Sequence, residues 1–176
     1  LTEHQLSHNG AVKYLALLKK VVNRAVANNK MSFNPFATYR LERQTVSPDF
    51  LTEEELRKII NFNSPLPRLE QTRDMFLFAC YTGLSYIDVK TLKPEHLERD
   101  KQGTMWIKKH RVKTGVLSRI PLLPSAKMLL DKYAGNETLM PIFSPKDINL
   151  FLKDIAILCN IDKRITYHTA RHTFAS

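Results

Sequence analysis

The 176-residue chain has only two cysteines, Cys80 and Cys159, far apart and with no second pair to complete a ligand set. Neither a disulfide framework nor a zinc centre is implied, and both thiols read as core residues of a cytosolic protein. Long apolar runs are also missing. The longest, Met75 to Tyr81, is too short to cross a bilayer. The first ten residues lack the charged and apolar regions of a secretory leader. No membrane role, cofactor or metal is expected.

Acid is scarce in particular places. Residues 101–121 hold six Lys or Arg and no Asp or Glu, and residues 1–46 hold seven bases against two acids. These two segments carry the excess behind the net charge of +10, with 27 bases and 17 acids overall. Such a balance fits a polyanionic partner such as nucleic acid, although a solubilising surface has the same composition. An apolar content of 43% is enough to build a core.

What is present is mostly helical periodicity. Val12, Leu15, Leu18, Val22 and Val26 fall on one face of a helix whose other side carries Lys13, Lys19, Lys20 and Arg24. Asn28 and Asn29 end it, Asn34-Pro35 turns the backbone, and the polar stretch from Thr38 to Asp49 reads as a linker. One helix cannot bury its own stripe, so residues 1–46 are expected to be the tail of a helical domain plus linker, and 47–176 a second domain.

In that second domain Thr52 and Glu55 form a capping box for LTEEELRKII. Leu69 to Tyr81 reads as a buried helix stopped at Gly83, and a short helix follows over Ser85–Leu92. MWIKKHRV and LSRIPLL are β-prone runs joined through KTG, with Pro121 placing the second at a sheet edge. Helices are expected over Ser125–Tyr133 and Pro145–Cys159, the latter capped by Ser144, and Thr166 caps a last one. The fold class is therefore mainly α with a small antiparallel β-sheet.

The last helix carries YHTARHTFAS. His168 and Arg171 are three apart and share a face, so an imidazole and a guanidinium meet there. The planar fork of Arg matches two phosphate oxygens, and His can donate to a third or move a proton near neutral pH. Lys113, in the hairpin turn, can reach a nucleic-acid backbone or a leaving oxygen. By itself H-x-x-R arises by chance in basic chains, and a turn lysine is more commonly just solvated.

Taken in order, a helix ending in TGL, a Lys-bearing hairpin, two helices and then HTARHTFA resemble the tyrosine recombinase, or phage integrase, family. YLALLKKVVNRAVANNKMSFNPF is similar to the end of that family's core-binding domain, and LTEEELRKII to the start of its catalytic domain. The resemblance implies a clamp on double-stranded DNA in which a tyrosine attacks the scissile phosphate, giving a 3′-phosphotyrosyl intermediate with no metal or cofactor. His168 and Arg171 fall on its H-x-x-R box and Lys113 on its hairpin lysine, which protonates the leaving 5′-oxygen. Asp88 and His172 match positions whose expected work is structural.

Ser85, in TGLSYIDV, stands where the family usually has its first arginine, as in integrases of conjugative transposons from gut anaerobes. A neutral hydroxyl cannot replace a bidentate cation. Arg73 is a candidate to supply the missing charge if its helix passes the site, although a surface arginine is the commoner meaning. The resemblance also places the nucleophile beyond residue 176, because the six tyrosines (Tyr14, Tyr39, Tyr81, Tyr86, Tyr133, Tyr167) all precede or fall within the matched motifs. The chain is accordingly expected to be an inert piece of a cytoplasmic, mobile-element integrase that acts as a tetramer on paired DNA sites. A noncatalytic DNA-binding module derived from a recombinase and a type IB topoisomerase are the alternatives, with an unrelated helical protein further off.

Overall fold

Oxygen-bearing side chains mark where several of the helices begin. The structure, a computed structural model, describes residues 6–45 and 49–176. The chain divides into two compact units, residues 1–47 and 48–176.

In the first unit Ser7 accepts from Gly10 N and starts α1 (His8–Ala27), which ends where Asn28 caps it and Asn29 turns left-handed at φ 56°. Val12 is buried, while the cationic side of Lys13, Lys20 and Arg24 is exposed. The polar stretch that follows is irregular, yet it does not hang free. It returns along α1, fastened by Asn34 Nδ2 to Asn23 Oδ1 (2.7 Å) and Lys19 Nζ to Tyr39 O (2.7 Å). Asn9 closes it with a reciprocal pair, donating to Gln44 O at 2.9 Å and accepting from Gln44 N at 3.0 Å.

The second unit is organised around α3 (Pro67–Thr82), which follows α2 (Glu53–Ile60). Thr52 and Glu55 form the expected capping box of α2. Eleven of the sixteen residues of α3 are buried, Phe76 and Phe78 completely, so this helix is enclosed on all sides rather than amphipathic. It packs against α5 (Pro124–Lys132), α6 (Pro145–Leu158) and α7 (Tyr167–Ala175). Gly83 stops it at φ 62°, and a Cβ there would fall 2.6 Å from the Phe174 ring, so both the backbone and the packing of α7 require glycine. Cys80 is buried in this core, whereas Cys159, expected there too, is only half-buried because it caps the outer end of α6.

Between α3 and α5 lie the short α4 (Tyr86–Lys90) and a three-stranded antiparallel sheet, β1 (Leu97–Arg99), β2 (Met105–His110) and β3 (Leu117–Pro121), in that order. The sheet agrees with the expected hairpin, β3 with its Pro121 is an edge strand, and β1 is additional. Ile107 pairs with Ile120 and both face the core. On the same face of β2, Lys109 is buried and donates to Thr91 O at the end of α4 (3.0 Å).

The beginning of this unit is tied to its last helix. Leu51 N donates to Thr173 Oγ1 (3.0 Å), and Lys163, just ahead of α7, donates to Phe50 O (3.1 Å) and pairs with Glu55 (2.7 Å). Burial favours protonating Glu55, but its bonds from Lys163 and Thr52 hold the carboxyl below its ordinary range.

Candidate functional site

Four elements surround a cleft of about 860 Å³: the start of α4, the tip of the β2–β3 hairpin, the first turns of α6 and the first turns of α7. Lys113, His168, Arg171 and Ser85 all line it. Residues separated by more than fifty positions in sequence are thus gathered on one concavity, and Asp88 is the one acid among its described lining residues.

Each side chain is presented by local backbone logic. The hairpin turns where Gly115 N donates to Arg111 O (2.8 Å) and Arg111 N to Val116 O (2.8 Å), with Gly115 at φ 69°, which puts Lys113 at the exposed apex. On α7 the Thr169 hydroxyl accepts from Thr166 N (3.1 Å) while Thr169 N donates to Thr166 O (2.9 Å), which fixes the first turn, so His168 and Arg171 project from one face. The His168 and His172 rings meet edge to face at 4.6 Å. Burial, then the charges of His172, Arg171 and Lys113, push His168 below the usual imidazole range and leave it neutral near pH 7.

The Ser85 hydroxyl proton is engaged within the protein. Ser85 is the N-cap of α4, and its hydroxyl donates to Asp88 Oδ2 at 2.6 Å. Asp88 is almost fully buried and also accepts from Val112 N through Oδ1 (3.0 Å). Burial would raise its pKa, but the bonds from Ser85 and Val112 and the Arg111 charge bring it below the ordinary carboxylate value.

Arg73, the candidate substitute cation, lies outside the cleft, and it is buried rather than on the surface. It belongs to a buried polar network, in which its guanidinium donates to Asp74 Oδ1 (2.8 Å) and to Phe62 O. Asp74 in turn takes Lys132 Nζ and the Tyr133 hydroxyl, each at 2.7 Å, so α3 is bolted to the end of α5. Arg73 turns toward that network because α3 presents it to the side where Asp74 and the α2–α3 loop wait.

The cation that sequence reasoning missed is Arg111. It lines the cleft beside Ser85, with Nη1 3.6 Å from Asp88 Oδ2 and 3.3 Å from Gly83 O, and Nε donating to Ser118 Oγ (2.7 Å). The two-residue period of β2 is the signal that finds it. Ile107, Lys109 and Arg111 share a face, and an arginine continuing an inward-facing register at a strand end has to meet something. Among the described residues no group of three or more His, Cys, Asp or Glu is assembled in a way that would hold a metal ion.

Comparison with known proteins bears on what this cleft is. The phage integrase family model matches residues 49–176, and a phage integrase SAM-like domain model matches residues 1–41. The tyrosine recombinase XerD from two strains of Listeria monocytogenes is 28% identical over 97% of this chain, and the chain spans 62% of those relatives' length. Among solved structures, a lambda integrase (residues 75–356) dimer bound to a COC′ core site shares the fold at a TM-score of 0.77 and 20% identity, covering 96% of this chain and 63% of that one. The Tn1549 transposon integrase in complex with circular intermediate DNA does so at 0.74 and 16% identity, covering 98% and 66%.

Proposed function

Because the chain belongs to the phage integrase family, we propose that the intact protein is a site-specific recombinase that breaks and rejoins duplex DNA through a 3′-phosphotyrosyl intermediate during integration of a mobile element. In this reading residues 1–46 end a core-binding domain and 47–176 form most of a catalytic domain. The match of the SAM-like model to residues 1–41 supports the first part. The observation that carries the proposal is the gathering of Lys113, His168, Arg171 and Arg111 around one cleft.

The chemistry follows from where charge develops. As a nucleophile adds to a DNA phosphoryl group, the nonbridging oxygens gain negative charge, and fixed donors favour that state over the bound substrate. Arg171 and Arg111 approach from different elements and clamp those oxygens, which restores two guanidinium groups to a site whose helix α4 begins with serine. Neutral His168 takes a proton or donates a hydrogen bond. Lys113, on the exposed hairpin apex, gives its proton to the departing 5′-oxygen.

Neither tyrosine at the cleft is placed to be the nucleophile. The Tyr86 hydroxyl donates to Phe143 O (2.9 Å), and the Tyr167 hydroxyl is sealed from solvent. Burial pushes both above the usual phenol range, away from phenolate. In this reading the attacking tyrosine is therefore neither Tyr86 nor Tyr167. The parent assembles as a tetramer on paired sites, consistent with the lambda integrase tetramer bound to a Holliday junction, whose fold this chain shares. Acting on DNA, it works in the cytoplasm, and no helix among the described residues is long and apolar enough to cross a membrane.

The test is covalent trapping. The intact protein, incubated with a nicked duplex of its attachment site, should yield a protein–DNA adduct through a tyrosine at the 3′-phosphate, lost in Arg171→Ala and slowed in Lys113→Ala. An intact protein that binds duplex DNA but forms no adduct on any such substrate overturns the reading.

A further inference from the structure

The cleft has a neutral wall as well as a cationic one. Asn149, exposed on α6, lines it beside Thr166, Tyr167 and His168. Its Oδ1 accepts from Tyr167 N at 2.9 Å. Tyr167 opens α7, so this N–H is one of the donors that a helix start leaves without an internal partner. The bond also orients the amide. Only the oxygen can accept, so the oxygen points at the backbone and both Nδ2 hydrogens point away from it. Among the described residues nothing accepts from Nδ2, and the next residue along α7 is His168.

We propose that Asn149 is a substrate-contacting residue, its amide N–H groups donating to a phosphate oxygen of the DNA strand in the cleft. The proposal rests on the recombinase reading, since it needs a phosphodiester beside His168. Asparagine is suited to the position. As an acceptor it holds the helix that carries His168 and Arg171, and as a donor it meets the same strand they contact. Phosphate contacts of this kind fix the register of the strand without reading its sequence. They are distinguishable from those of lysine or arginine, because a neutral donor displaces no counterion and leaves the salt dependence of binding unchanged.

The experiment separates cap from contact in the chain as it stands, measuring thermal unfolding and affinity for a short duplex over a series of salt concentrations. Asn149→Asp keeps the acceptor for Tyr167 N while removing both donors; its unfolding midpoint stays at or above the wild-type value while affinity drops about tenfold or more. Asn149→Ala, assayed well below its melting temperature, also binds about tenfold more weakly with an unchanged salt slope, whereas Lys113→Ala lowers the slope by about one. Wild-type affinity in Asn149→Ala overturns the proposal, because weakening confined to Asn149→Asp is plain repulsion. If wild type fails to bind duplex DNA even at low salt, the recombinase reading falls first. If wild type binds and Lys113→Ala behaves as expected but both Asn149 variants match wild type, only the asparagine assignment is lost.

Discussion

Arg111 and Asp88 meet with Nη1 3.6 Å from Oδ2, while the adjacent Val112 N–H donates to Asp88 Oδ1 at 3.0 Å. One carboxylate on α4 thereby receives both side chain and main chain from the end of β2. The ion pair sets the plane of the guanidinium and leaves other N–H groups for a ligand in the cleft. In the intact protein Arg111→Ala should slow single-turnover DNA cleavage by about 10² to 10³, the usual effect of removing one preorganised donor. Arg111→Lys should recover duplex affinity but not the rate, since an ammonium has no planar fork.

Asp88 is the fastening between α4 and the hairpin. Asp88→Ala should destabilise the second unit by about 3 kcal/mol, as expected when one partner of a buried, hydrogen-bonded pair is removed. The effect depends on pH. The folded carboxyl titrates below its ordinary 3.8, so its contribution is present above that value and is lost as pH falls through the lower folded one. Urea unfolding should show a wide gap between wild type and the variant at neutral pH, closing under strong acid.

Arg73 should behave as a structural residue. Arg73→Ala leaves Asp74 with Lys132 and Tyr133 but removes the tie to Phe62 O. A loss of about 3 to 5 kcal/mol is expected, because the Asp74 side chain is 1% exposed and its charge becomes undercompensated. Below its melting temperature the variant should retain both the affinity and the salt slope of wild-type DNA binding; a flatter slope would place Arg73 on the DNA after all.

His168 is expected to couple DNA binding to proton uptake. Its folded pKa lies below the ordinary 6.5, so protonation favours the unfolded chain, and this part of the stability is present above that value and fades as pH drops through the folded one. A phosphate in the cleft favours the charged imidazole and raises that pKa, so binding takes up a proton. Duplex affinity should therefore increase as pH is lowered from neutral through the range near 6, and His168→Gln should remove most of that dependence. Equal pH profiles for the two proteins would place the imidazole away from the phosphate.

Local chemistry is legible in the amino-acid order alone. The Thr52–Glu55 capping box, Ser144 ahead of α6, Gly83 after α3 and the Gly115 turn all depend on neighbours within a few residues, and each stands where expected. Lys113, His168 and Arg171 stand out because they sit in short motifs. Arg111 does not, because its partners Asp88 and Gly83 lie 23 and 28 positions away and only the strand register hints at its direction. The Arg73 assignment fails for the same reason, as α3 is buried on every side and periodicity gives no sign of which side faces a cleft. Asn149 has no signal either, its role arising when α6 and α7 are brought together.

The hydrogen bond from Leu51 to Thr173 joins residues 122 positions apart. It acts as a clasp, with the opening segment of the second unit and its final helix sharing one hydroxyl two residues from Arg171. Any shortened version of this unit must begin ahead of Phe50. Trimmed further, the amino end would leave Thr173 and Lys163 without these partners, so a cut remote in sequence would weaken, by about 1 kcal/mol per bond, the seating of the helix that carries the imidazole and guanidinium.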